Sequence, residues 1–281
     1  MNPNRLTFNT WNTFIPHWVD GLAERASLIR RSFHAPILVH PTFLPIPPSE
    51  RLSILLNEPL QSSPPSHKPI PVHSLHDLET LSLHARNISS PPSTNIMQHD
   101  LILLSPFLQW TRDVPGMLVQ IYQSLAEGGF FVGCFFGQDT LCEFKHVCAD
   151  LDIHHHGGLC QRFLPMIHAK DAGALLQRAG FSCPTADIEH LTYHIPHVID
   201  LIHALRNSGF NQTLITTHPS LPRTFLTDAN KIYQSRYANT RGLPVSIDLI
   251  FICGWKQTQQ TAFKKQHATP ARLNQMDTND G

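Results

Sequence analysis

Apolar residues recur along this chain in two spacings. Residues 18–31 place Val19, Leu22, Ala26 and Ile29 on one helical face. The short run Ile37–Val39 then reads as a buried strand. Regular patterning resumes near residue 99. DLILLS (100–105) is a continuous apolar run, as expected of a strand covered on both faces. Asp113 is a good N-cap, with Pro115 in the first turn, and Val114, Met117, Leu118, Ile121, Tyr122 and Leu125 form a stripe. Gly128-Gly129 is expected to end that helix. FFVGCFF (130–136) predicts another buried strand. Thr140–Leu151 predicts a helix with Leu141, Phe144, Val147, Cys148 and Leu151 inward, and Asp171–Ala179 another that stops at Gly180. Residues 185–195 predict a strand with a polar, partly exposed face. Helices over 196–208 and 221–238 precede a long strand over 244–255. Alternating strands and helices imply an α/β fold with a mostly parallel sheet. One domain over 1–256 is expected, with a helical insertion at about 197–240 and a disordered polar tail over 257–281.

The stretch from Pro36 to Pro92 differs, with 12 prolines in 57 residues. Within it, 51–58 and 69–75 are candidate short strands and 75–84 a candidate helix. The segments SSPPS and SSPPST read as loops, because proline supplies no N–H to a ladder or helix. Glycine is missing over a longer span: Gly21 is followed only by Gly116. A glycine-rich phosphate or nucleotide loop is therefore excluded from the intervening residues.

Composition narrows the function classes. The 281 residues carry 21 Lys+Arg and 21 Asp+Glu, a zero balance that argues against nucleic-acid binding. Six cysteines without a C-x-x-C pair read as reduced, mostly buried thiols. The first residues lack a secretory leader and no 18-residue apolar stretch occurs, so a cytoplasmic protein without a membrane span is expected. The 19 histidines match no metal-site template. His154, His155 and His156 precede Gly157-Gly158 and read as a loop, and no metal is expected.

In an open α/β sheet, ligands bind at the C-terminal ends of the strands. That places His40, Asn57 and Glu58, His73, Ser105 to Trp110, and Gly137 to Thr140 as candidates. Gly137 permits a sharp turn or close approach of a ligand. Asp139 or Thr140 is suited to cap the next helix, and Glu143 lies near its start. Two readings of Asp139 and Glu143 stay open: they serve the helix N-terminus alone, or they also face a substrate. Trp110 with Phe107 lines an apolar pocket or belongs to the core. There is no G-x-S-x-G elbow, and Cys134 lies inside a buried strand.

LAERASLIRRSF (22–33), HDLILLSPFLQWTRDVPGML (99–118), QIYQSLAEGGFFVGCFFGQDTLCEF (120–144), DAGALLQRAGF (171–181) and IFICGWK (250–256) together resemble the class I S-adenosylmethionine (SAM)-dependent methyltransferases. The resemblance is to the branch holding the malonyl-carrier-protein O-methyltransferase and the mitochondrial complex I assembly factor 5 proteins. It implies a three-layer, doubly wound, seven-stranded Rossmann-like sheet whose last strand is antiparallel. It also implies SAM above the first strands. Val39 and His40 then fall on the cofactor loop, Ser105 in the crevice, and Glu58 at the ribose acid. Ser74 or Asp77 falls near the adenine. Trp110, Gly137, Asp139 and Thr140 would contact the acceptor, and Asp139 and Glu143 are the catalytic candidates. The family's G-G-D-T-L reads G-Q-D-T-L here. Its L-D-L-G-C-G-x-G loop is replaced by ILVHPTFLP (37–45), in which His40 and Pro41 stand for glycines. The resemblance therefore leaves three roles: a SAM-dependent methyltransferase of unknown acceptor, a non-catalytic assembly factor that binds a protein partner, or a protein-arginine hydroxylase-like role.

Overall fold

The computed structural model describes residues 15–40, 51, 54–55, 70–71, 99–106, 108, 111, 113–163, 165–207 and 223–258. Glu58, Trp110, the 75–84 helix and the tail beyond residue 258 lie outside them.

Among the described residues, six strands form one sheet: β1 (Pro36–His40), β2 (Ile70–Pro71), β3 (His99–Leu104), β4 (Leu125–Phe136), β5 (Ser182–Ile195) and β6 (Leu243–Trp255). Their order is β2-β1-β3-β4-β6-β5. The first four are parallel, and β6 runs antiparallel to both β4 and β5. The sheet is thus mixed, with the last strand reversed as expected. The winding reverses between β1 and β3, which sets a crevice above their C-terminal ends.

Helices α1 (Ile15–Ser27), α2 (Val114–Ser124), α3 (Cys142–His156), α4 (Ala169–Ala179), α5 (Val198–Asn207) and α6 (Arg223–Tyr237) complete the described elements. Alternation along β6 divides the core. Val245, Ile247, Leu249 and Phe251 pack with Trp18, Leu22, Phe144 and Tyr233. Ile250 and Ile252 pack with Met117, Leu118, Ile121 and Leu176 on the other side. Each fully buried side chain of this size contributes about 1.5–3 kcal/mol, so these two clusters supply most of the driving force.

Five local expectations change. Residues 51, 54 and 55 are helical rather than strand, and the half-buried Leu55 packs on the core. α2 ends at Ser124, before Gly128-Gly129, because Leu125 already pairs with His99 as the first residue of β4. The next registered pair is Leu101 with Phe130, so residues 126–129 form a bulge, and Gly128 at φ 71° supplies its left-handed residue. α3 begins at Cys142 rather than Thr140, because the Thr140 side chain is held by β6. α3 also continues through His154–His156, which form its last turn rather than a loop, and stops at Gly157. Finally, only Cys134 and Cys148 of the six cysteines are buried.

Candidate functional site

The crevice floor is built where β1 and β3 end. Val39 pairs with Leu104, and the Ser105 N–H donates to the Val39 carbonyl at 3.0 Å. Ser105 and the last residue of β1, His40, are thereby side by side. The Ser105 hydroxyl is fully buried and has no hydrogen-bond partner among the described residues. An unpartnered buried hydroxyl costs about 1–3 kcal/mol, and such a cost is tolerated most readily where a group serves a ligand.

β4 reaches further than β3. Leu104 pairs with Gly133, which leaves Gly137 four residues, or about 13 Å, beyond that pair. Residues 137–140 therefore stand as a wall beside the floor. Gly137 donates its N–H to the Asp248 carbonyl at 2.9 Å, and its backbone bridges to Ile167. A Cβ there would lie 2.9 Å from Ile250 Cδ1 and 3.0 Å from Asp248 Cβ, so close packing on β6 requires this glycine.

Thr140 is buried, accepts from the Asp248 N–H at 3.1 Å and donates to the Asp248 carbonyl at 3.2 Å. Glu143 turns inward as well, accepting from the Ser246 N–H at 3.1 Å and the Ser246 hydroxyl at 2.5 Å. Neither Asp139 nor Thr140 caps α3 through its side chain. The N-cap is Leu141, at φ 60°, whose N–H donates to the Ser246 carbonyl at 2.7 Å. Thr140 and Glu143 thus tie the wall to β6, while Asp139 is exposed at its tip.

Three residues to which the sequence assigned no site role join this wall. Lys145 Nζ donates to the Gln138 carbonyl at 2.8 Å, and burial lowers its pKa. Asp248, 6% exposed, is bonded to His190 Nδ1 at 2.7 Å, and the His190 ring is mostly open to solvent. A histidine held at Nδ1 by a buried carboxylate presents Nε2 for proton exchange. The sequence did carry a signal for Asp248: it is the one charged residue within the apolar run PVSIDLIFICGW (244–255). A small recess lies elsewhere, between β1, β3 and α2, with Val39 and Ile102 among its lining residues. It opens on a sheet face rather than at the strand ends.

No family model matches the chain. Curated proteins do. The zebrafish (Danio rerio) protein named arginine-hydroxylase NDUFAF5, mitochondrial, is 29% identical over 194 residues, 65% of this chain and 60% of that protein. The malonyl-[acyl-carrier protein] O-methyltransferase of Nitrosospira multiformis is 26% identical over 156 residues, 55% of this chain and 48% of that protein. The chain is thus similar both to proteins named arginine-hydroxylase and to proteins named O-methyltransferase. It spans between about half and three-fifths of the length of these relatives. Among solved structures, a Thermotoga maritima SAM-dependent methyltransferase, possible histamine N-methyltransferase, aligns over 88% of this chain and 93% of its own, with a TM-score of 0.38 and 10% identity.

The comparison corrects one expectation. A cytoplasmic setting does not stand, because the similar zebrafish, human and mouse proteins are designated mitochondrial. A test for a secretory leader does not distinguish the cytosol from an organelle interior. No helix of the described residues is long and apolar enough to cross a membrane.

Proposed function

We propose that this methyltransferase relative takes SAM above the ends of β1 and β3 and acts on a protein-borne acceptor at the Gly137–Thr140 wall. The carrying observation is the Ser105 hydroxyl, buried at the end of β3 without a partner among the described residues. That orphaned group and the adjoining His40 backbone fit a polar ligand. Bound there, SAM supplies a sulfonium methyl for in-line transfer. Val39 would pack beneath the cofactor, and Glu58 would serve its ribose. On the acceptor side, Glu143 is committed to Ser246, so Asp139 is the acid left to meet a cationic group. Trp110 would line the same side, and His190, oriented by Asp248, would stand at the edge of the wall. The protein acceptor follows the relatives, one named for a carrier-protein substrate and the other for arginine hydroxylation. The seven-stranded, three-layer form of the sheet belongs to the same reading.

A second reading, an assembly factor without catalysis, is favoured by the glycine-free span from 22 to 115 and by Pro41 directly after β1. Calorimetric titration with SAM and S-adenosylhomocysteine separates the two. Binding tighter than about 100 μM supports the cofactor site, and Ser105→Ala should then weaken it roughly 3- to 10-fold. No binding up to about 1 mM would establish the non-catalytic reading instead.

A further inference from the structure

The end of α3 gathers three potential metal ligands away from the crevice. Asp152 and His156 are four residues apart on α3, so they share a helix face. Gly157, at φ 70°, turns the chain, and Cys160 comes back beside them. One donor atom from each of Asp152, His156 and Cys160 lies within 4.8 Å of the other two. We propose that Asp152, His156 and Cys160 hold a zinc-class divalent cation, which pins the Gly157–Cys160 turn to the end of α3.

The donor chemistry selects the ion. A thiolate, an imidazole and a carboxylate are the ligand types zinc accepts, and three protein ligands leave one position for water. Asp152 is buried and its orientation is fixed: Arg162 Nε donates to its two oxygens at 2.9 and 2.8 Å, and Arg162 NH2 donates to Oδ1 at 2.5 Å. A carboxylate oxygen has room for both a donor and a metal, and an outer partner that orients a ligand is the usual support of such sites. His156 is exposed and Cys160 half-buried, which provides the entry path. Tetrahedral zinc at about 2.0–2.3 Å from each donor needs donor separations of about 3.5 Å. The remaining closure can come from the turn, because an added Cβ at Gly157 or Gly158 would meet nothing within 4 Å.

The placement assigns the ion a clamping role. α3 starts beside the wall at Cys142 and runs 15 residues, about 22 Å, to His156. The cluster therefore sits at the opposite end of the helix from the crevice. The sequence templates missed it because Asp-x3-His-x3-Cys matches none of them, and the adjacent histidines drew attention as a triplet.

Zinc titration of the metal-stripped full chain tests this. The expected result is one equivalent bound with a dissociation constant below about 1 μM. Cobalt should give a thiolate charge-transfer band in the wild type. Cys160→Ser should abolish that band and, like His156→Ala, weaken zinc at least about 100-fold, since the removed group is a direct ligand. The double variant His154→Ala/His155→Ala should bind as the wild type does. The proposal is overturned if the wild type binds no single tight equivalent or gives no thiolate band. It is equally overturned if Cys160→Ser retains affinity while the His154/His155 double variant loses it, which would mark a surface histidine patch.

Discussion

Replacing Glu143 by alanine tests whether the wall is held by β6 or waits for a substrate. The carboxylate of Glu143, 8% exposed, accepts one backbone and one hydroxyl hydrogen bond, both from Ser246. Hydrogen bonds to a charged group contribute about 1.5–3 kcal/mol each, and the two join the same pair of residues, so their losses do not simply add. Removing the carboxylate also strands the Ser246 N–H in a partly buried position. Together these give an expected destabilisation of about 3 kcal/mol. Urea unfolding followed by circular dichroism measures it, with an unchanged slope expected if only the native state is affected. A double-mutant cycle with Ser246→Ala should return a coupling of about 1–2 kcal/mol. Asp139→Asn, at the exposed tip, should change stability by less than about 0.5 kcal/mol. A loss below about 1 kcal/mol for Glu143→Ala would refute the structural assignment and return Glu143 to the acceptor site.

Other outcomes follow from the same geometry. Arg162→Leu strands the buried Asp152 carboxylate and should cost about 3–5 kcal/mol in urea unfolding. Burial pushes the Cys148 thiol up to about 12. Alkylation at pH 8 read by mass spectrometry should therefore label the exposed Cys183 and spare Cys148; prompt labelling of Cys148 would contradict its packing. Burial also lowers the His99 pKa, so the unfolded chain takes up this proton more readily than the folded one. Stability should accordingly fall as pH drops through about 6.5, and less steeply in His99→Gln. Parallel pH profiles for the two proteins would exclude that linkage.

The elements that the sequence made legible are those in which one physical signal dominates. The apolar runs of β3 and β4 and the Asp113 cap with Pro115 left little choice. What stayed hidden depended on partners remote in the chain. Gly128-Gly129 has the local appearance of a helix stop, but it serves a bulge whose need arises only when His99 pairs with Leu125. Thr140 looks like a cap until Asp248, 108 residues later, claims its hydroxyl. Within the candidate site, topology placed Ser105 and Gly137 at strand ends correctly. It could not show that Ser105 has an orphan hydroxyl or that Glu143 faces inward, because both facts depend on side-chain direction. The pairing of His190 with Asp248 was not legible, because a histidine on an exposed strand carries no signal without its carboxylate.

The position of β6 also bears on how the sheet is made during synthesis. It lies between β4 and β5, and its ladders pair residues such as Gly133 with Ile252. β5 has left the ribosome well before residues 243–255 exist, and until then both β4 and β5 present unpaired edges. Loop closure over such separations is slow, and open apolar edges invite association with other chains. Ordering of this half of the protein is therefore a late event that awaits one strand, and a nascent chain stalled before residue 243 should be the form most dependent on chaperones.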